Sequence, residues 1–135
     1  MALKVAVRNA KRLGVSARCQ FMKSDWFAAI EGAFDLIVSN PPYISRAEWE
    51  GLASEVKNYD PLIALSPGED ALEPYRKISS NAMRHLKTDG RLLLEIDHTQ
   101  GKAVSNLLNQ AGYKNISVHL DLEKRPRVVS CSAPT

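Results

Sequence analysis

The sequence predicts an α/β fold built on a largely parallel sheet, and three observations carry that prediction. Helical and strand signals alternate along the chain, with no internal repeat and no low-complexity linker. Two compact apolar runs, Phe34 to Ser39 and Arg91 to Ile96, read as strands buried on both faces, the pattern of a parallel sheet. Amphipathic helical stretches stand before, between and after those runs.

The elements follow in order. Ala2 to Leu13 places Leu3, Ala6, Val7, Ala10 and Leu13 on one helical face, and Gly14 stops the helix. Ala17 to Lys23 reads as a short strand. Ser24-Asp25-Trp26-Phe27 is a turn leading into a short helical stretch. The strand Phe34 to Ser39 must end at Asn40-Pro41-Pro42, because two consecutive prolines donate nothing to a ladder. Ser45 to Pro67 is rich in loop residues, with one helical turn expected around Ala47 to Ala53. Leu72 to Leu86 predicts an amphipathic helix with Tyr75, Ile78, Ala82, Met83 and Leu86 on one side. Lys87-Thr88-Asp89-Gly90 is a turn before the second buried strand. Gln100 to Ala111 is a further helix, closed by Gly112. Asn115 to Leu122 and Arg127 to Ser132 are strands with a short connector, so they should pair as an antiparallel hairpin.

Composition sets the bounds. A chain of 135 residues suits one domain, and 44% hydrophobic with 24% charged residues is a globular balance. The net charge of +3 is compatible with an RNA-associated partner without arguing for one. No run approaches the roughly 18 apolar residues of a membrane span. Lys4, Arg8, Lys11 and Arg12 interrupt the N-terminal apolar residues, so no signal-peptide core is expected there. Cys19 and Cys131 lack metal-type spacing and read as reduced thiols of a cytoplasmic protein. His85, His98 and His119 have no ligand spacing, and no metal site is expected. Pro67-Gly68-Glu69-Asp70 is too short and too acidic for a phosphate loop.

The informative motif is Asn40-Pro41-Pro42-Tyr43. It follows a buried strand, and ligands of open α/β sheets sit at the carboxyl ends of strands. Each proline restricts the residue before it to extended backbone, so Asn40 and Pro41 have little freedom to lose on binding. Neither proline has an N–H, so the loop presents acceptors, and Asn40 adds a side-chain carbonyl and amide. That set suits a substrate –NH₂ group. The Asn40 side-chain oxygen and the Pro41 carbonyl can each accept one N–H, which steers the nitrogen lone pair toward an electrophile. An amide nitrogen is a poor nucleophile, so positioning is the main contribution open to the protein; orientation can be worth on the order of 7–11 kcal/mol of barrier. Tyr43 can stack on a planar amide or base, or present its ring face to a cation for roughly 0.5–2 kcal/mol. Asn-Pro is also a common turn initiator. Ser39 and the buried strand directly before it favour the acceptor pocket over a plain turn.

The sequence resembles the HemK/PrmC family, the glutamine methyltransferases of peptide chain release factors. The resemblance rests on Ser24-Asp25-Trp26-Phe27, Ser39-Asn-Pro-Pro-Tyr-Ile44, Asp60-Pro-Leu-Ile-Ala-Leu65, Asp70-Ala-Leu-Glu-Pro-Tyr75, and Leu93-Leu-Glu-Ile96 with Gln100, in order and spacing over essentially the whole chain. It implies a Rossmann-like S-adenosylmethionine-dependent methyltransferase sheet with a C-terminal antiparallel hairpin. It implies that residues 1–135 form the C-terminal portion of that domain, that Asn40 to Tyr43 bind the glutamine side chain, and that Asn40 also lies against the cofactor. Asn40, Pro41 and Tyr43 would serve the chemistry, while Trp26 would line the adenine pocket beside Asp25. For Trp26 a core aromatic, and for Asp25 a helix cap, are the alternatives. Glu95 would be a supporting residue at a strand end, and Tyr75 and Arg76 packing and surface residues.

Two departures from the family pattern stand out. Asp97 occupies a position where the family usually has glycine after Leu-Glu-Ile, and it should perturb the local turn. The glycine-rich cofactor loop and the acid that holds the ribose hydroxyls belong before Met1, and no glycine precedes Gly14. The expectation is a partial sheet lacking its first two strands, with Ala17 to Lys23 deprived of its usual neighbours, and an acceptor half-site with little of the cofactor half. Two other functions stay open. A nucleic-acid adenine methyltransferase would use the same acceptors on a flipped base, but Lys124-Arg125-Pro126-Arg127 is the only basic cluster and reads as a solvated hairpin tip. The second is a non-catalytic remnant or binding module of the same fold.

Overall fold

The computed structural model describes residues 2–42 and 71–134. The chain divides into two compact units, Met1–Glu31 and Gly32–Thr135.

In the first unit, α1 spans Ala2–Arg12. It ends as its sequence requires. Gly14 adopts φ 73, and the Val15 N–H returns to the Ala10 carbonyl at 2.9 Å, which satisfies an orphan acceptor of the last turn. Only Ala10 of the apolar face is buried, and Leu3, Val7 and Leu13 remain exposed. The expected strand Ala17 to Lys23 does not form. Ser16–Arg18 is a single 3₁₀ turn and the residues after it have no ladder. A strand exists only by pairing, and no described strand pairs with this segment. Ser24 organises the next turn: its hydroxyl donates to the Trp26 carbonyl at 2.8 Å and accepts the Ala29 N–H at 2.9 Å. Turns follow through Ala29, and the expected helical stretch is absent.

The second unit contains a four-stranded sheet of β1 (Phe34–Ser39), β2 (Leu86–Glu95), β3 (Lys114–Leu120) and β4 (Pro126–Ser132), in the order β1-β2-β4-β3. β1 and β2 are parallel, with Ser39 opposite Leu94. β4 runs antiparallel to both β2 and β3, so the expected hairpin forms and its second strand inserts into the sheet. This partial, mixed α/β sheet is the architecture expected from the sequence. α2 (Glu73–Ala82) and α3 (Gly101–Gln110) supply the helices.

Local chemistry explains these elements. Pro74 opens α2 where a missing N–H costs nothing, and Glu73 sits at its positive end. Tyr75, Ile78 and Ala82 face the core at 0–2% exposure. The helix is shorter than its hydrophobic period suggests. Met83–His85 tightens to a 3₁₀ turn, and Leu86 keeps its place in the core as the first residue of β2. α3 buries Val104 and Leu108, and Gly112 at φ 99 closes it as predicted.

The turn expected at Lys87 to Gly90 does not form: these residues continue β2 as a bulged stretch of strand. Phe34 pairs with Leu86 and Leu36 with Arg91, so the intervening residues bulge from the ladder. Asp89 takes φ 64 there. Lys87 Nζ reaches the Asp35 carboxylate at 3.4 Å, and His85 Nδ1 lies 2.9 Å from the Gly32 carbonyl oxygen.

β1 departs from the prediction of burial on both faces. Phe34, Leu36 and Val38 are 43%, 52% and 67% exposed. β1 ends the sheet order and pairs only with β2 among the described strands. The core lies on the β2–β4 centre instead, where Leu92, Leu94, Ile96, Val129 and Cys131 are almost wholly buried.

Candidate functional site: the end of the parallel strand pair

Asn40, Pro41 and Pro42 stand where the parallel pair β1/β2 ends. Asn40 is exposed, Pro41 buried and Pro42 half-buried. The Ser39–Leu94 pairing puts Asn40 alongside Glu95, so both strand ends open on the same edge. Tyr43 lies outside the described residues, as do Ile44, the Ser45 to Pro67 stretch, Asp60 to Leu65 and the Pro67 to Asp70 loop.

The end of β2 is held by a network of hydrogen bonds. The buried Tyr75 hydroxyl donates to the Glu95 carbonyl at 2.8 Å and stands 3.4 Å from Gln100 Oε1. Gln100, itself 8% exposed, accepts the Asp97 N–H on the same Oε1 at 3.1 Å. Its own N–H returns to the Asp97 carbonyl at 2.9 Å. On the other side Ile96 is locked to β4, its N–H donating to the Arg127 carbonyl at 2.9 Å and its carbonyl accepting Arg127 Nη1 at 3.3 Å.

Asp97 does not perturb this turn; it builds it. Its carboxylate accepts the Thr99 N–H at 3.2 Å and the Thr99 hydroxyl. Asp97 is not among the described residues with positive φ, so no glycine is needed. Burial pulls its carboxyl pKa upward. The Thr99 bonds, with His98 and Arg127 nearby, outweigh burial and hold it below the ordinary value.

Asp25 and Trp26 belong to the first unit. Asp25 is exposed, and its backbone carbonyl accepts the Ala28 N–H at 3.0 Å within a turn rather than a regular helix. Trp26 is half-buried and takes φ 54, a conformation uncommon for a bulky residue.

The basic connector sits at the β3–β4 tip, with Lys124 and Arg125 exposed as expected. Asp121 organises that tip by accepting the Glu123 and Arg125 N–H groups at 2.8 and 3.1 Å. Among the described residues no cluster of His, Cys, Asp or Glu could hold a metal ion, and no helix is long and apolar enough to cross a membrane.

Sequence reasoning took Tyr75 for a packing residue and gave Gln100 no role. The signal for both was a proline at the end of a parallel strand, which leaves its neighbour's carbonyl in want of a donor.

The fold is an α/β fold shared with methyltransferases of known structure. A methyltransferase from Pyrococcus furiosus superposes with a TM-score of 0.63 at 17% identity, over 98% of this chain and 58% of that one. The family description "Methyltransferase small domain" matches residues 1–57. The sequence is more specific still: the chain is similar to the release factor glutamine methyltransferases. The enzyme of that name from Cereibacter sphaeroides is 50% identical over 98% of this chain and 48% of its own length. A "Bifunctional methyltransferase" of Rickettsia bellii is 43% identical over 97% of this chain and 24% of its own. The chain thus spans less than half the length of these curated relatives.

Proposed function

We propose that residues 1–135 are the C-terminal, acceptor-bearing portion of a methyltransferase domain that modifies the side-chain amide nitrogen of a glutamine in peptide chain release factors. The observation that carries this reading is the Asn40-Pro41-Pro42 segment at the open end of the β1/β2 pair, in a sequence 50% identical to a release factor glutamine methyltransferase.

The chemistry follows from the residues. Asn40 is exposed and extends beyond the last rung of β1. Its side-chain oxygen and the Pro41 carbonyl accept the two N–H bonds of the substrate amide. Pro41 and Pro42 restrain the backbone, so the acceptors are positioned before binding. Tyr43 would stack on the amide plane. The donor set also suits an adenosyl group: the exposed Asp25 carboxylate can accept an exocyclic amine, and the Trp26 ring offers a stacking face. Asn40 would face the cofactor as well as the substrate. S-adenosyl-L-methionine, when bound, supplies the electrophilic methyl group. The chain is expected to bind that cofactor weakly unaided. The protein would act in the cytoplasm, on a protein substrate.

The test is methyl transfer from radiolabelled S-adenosyl-L-methionine to a purified release factor, with the chain within its full gene product. Asn40→Ala should lower transfer by about 100-fold or more, because a positioning contact at the reacting nitrogen is lost. Equal transfer by the variant would remove Asn40 from the site. Labelling of an adenine-containing oligonucleotide instead of the release factor would favour the nucleic-acid reading. Micromolar binding of the cofactor to the 135-residue chain, measured by isothermal titration, would contradict the expected weak binding.

A further inference from the structure

The rung that should follow Ser39 in the β1/β2 ladder is missing, and another residue has taken its place. Ile96 directs both its N–H and its carbonyl to β4. Backbone groups alternate sides along a strand, so the Glu95 N–H and carbonyl point to β1. With Ser39 opposite Leu94, the Ser39 carbonyl takes the Glu95 N–H, and the next donor in register is the N–H of residue 41. Residue 41 is proline and has none. The Glu95 carbonyl would be left without a partner at a half-buried strand end, a cost of about 1–3 kcal/mol in a protein interior. It receives the Tyr75 hydroxyl at 2.8 Å instead.

We propose that Tyr75, steadied by Gln100, is a positioning residue that replaces the ladder donor absent at Pro41 and so lets the Asn40-Pro41-Pro42 segment leave the sheet without unravelling the end of β2. The placement supports this. Tyr75 is fully buried on α2, so its hydroxyl cannot swing to water. Gln100 Oε1 lies against the same hydroxyl and also takes the Asp97 N–H. One glutamine oxygen therefore couples the tyrosine to the turn after β2. The last carbonyl of β2 is then satisfied by a side chain from α2 rather than by a backbone rung from β1. Satisfied in this way, the end of β2 needs nothing from the Pro41 segment, and the Pro41 carbonyl is left to accept a substrate. The functional consequence rests on the reading of Asn40 to Pro42 as an acceptor loop; the bracing itself does not.

Amide hydrogen exchange on the 135-residue chain tests the brace. Tyr75→Phe keeps the ring and removes the donor. The Glu95 and Asp97 amides should exchange about fivefold faster, while the Val129 amide in the core strand changes by less than about twofold. Pro41→Ala restores a backbone N–H at the missing rung, and in that background Tyr75→Phe should speed those two amides by less than about twofold. Equal acceleration of Val129, or an undiminished effect in the Pro41→Ala background, overturns the proposal. Should Tyr75→Phe fail to fold, Gln100→Ala is read at Glu95 and Val129 with the same expectations. Methyl transfer is measured separately in the full gene product, where Tyr75→Phe should lower kcat with the KM for S-adenosyl-L-methionine unchanged. Inactivity of the unaltered protein toward release factors would sink the functional reading, whereas the exchange pattern alone decides the brace.

Discussion

The Tyr113 hydroxyl donates to the Ser79 carbonyl oxygen at 2.7 Å, tying the residue just beyond α3 to the middle of α2. Tyr113 is 3% exposed. Burial, with the Cys131 thiol close by, raises its pKa well above 10.0 and keeps the phenol a donor. Tyr113→Phe should therefore cost about 1 kcal/mol in urea unfolding, the net value of one neutral hydrogen bond. Tyr113→Ala should cost about 3–5 kcal/mol, because a cavity is added to the lost bond. Similar midpoints for the two variants would show that the ring, not the bond, is dispensable, contrary to this picture.

Two glycines should respond oppositely to alanine. A Cβ on Gly90 would stand 2.8 Å from the Lys87 carbonyl oxygen and 3.0 Å from that of Phe34, both backbone atoms of the β2 bulge and its neighbour. Backbone cannot step aside cheaply there, so Gly90→Ala should cost about 1–3 kcal/mol. A Cβ on Gly101 would meet Pro126, Ile96 and Val118 carbons at 3.5–3.6 Å, ordinary contact. Gly101→Ala at the start of α3 should be neutral or stabilising by up to about 1 kcal/mol. Thermal melts of both variants decide this, and a destabilised Gly101→Ala would contradict the packing described.

The two thiols should differ sharply in reactivity. Cys19 is exposed in the first unit, and Cys131 is buried in β4. Burial pushes the Cys131 pKa up to about 11, against a smaller lowering by Arg91. The thiolate is the reactive form, so little Cys131 is competent near neutral pH. Iodoacetamide at about pH 8 should label Cys19 promptly and Cys131 only on unfolding. Mass spectrometry of the alkylated chain gives the answer; comparable labelling of both under native conditions would mean that β4 opens readily.

Much of this was legible in the sequence, for physical reasons that can be named. Gly14 and Gly112 ended their helices because the left-handed conformation each adopts is easiest for glycine. The hairpin was readable because a short connector permits only antiparallel pairing. The Asn40-Pro41-Pro42 segment was readable because proline removes ladder donors. What failed was non-local. Ala17 to Lys23 has a strand's composition, but composition supplies no partner. Phe34 to Ser39 has a buried strand's composition, yet its exposure is set by which elements lie over it. Leu86 fitted the helical stripe of α2 and is buried as predicted, but from β2, since period alone cannot say where the backbone changes conformation. Asp97 looked like a misplaced glycine because the Thr99 bonds that make it a turn residue depend on the fold around them.

Asp97 also gives the chain a defined acid sensitivity. Its folded-state carboxyl is held below the ordinary value of 3.8, because the Thr99 bonds and the nearby His98 and Arg127 favour the anion more than burial opposes it. A carboxyl whose pKa is depressed on folding stabilises the folded state when ionised. That contribution is complete above the unfolded value and is lost as pH falls through the folded one. Asp97→Asn removes the titration but leaves a side-chain carbonyl that can still accept from Thr99. The stability difference between the parent chain and Asp97→Asn should stay level from about pH 7 to about pH 5, then narrow as the pH drops below 3.8. Denaturant midpoints at several pH values measure it. A difference that widens toward acid pH would mean that the carboxyl is raised on folding, and would reverse the reading of the Asp97 turn as an anion held by its own hydrogen bonds.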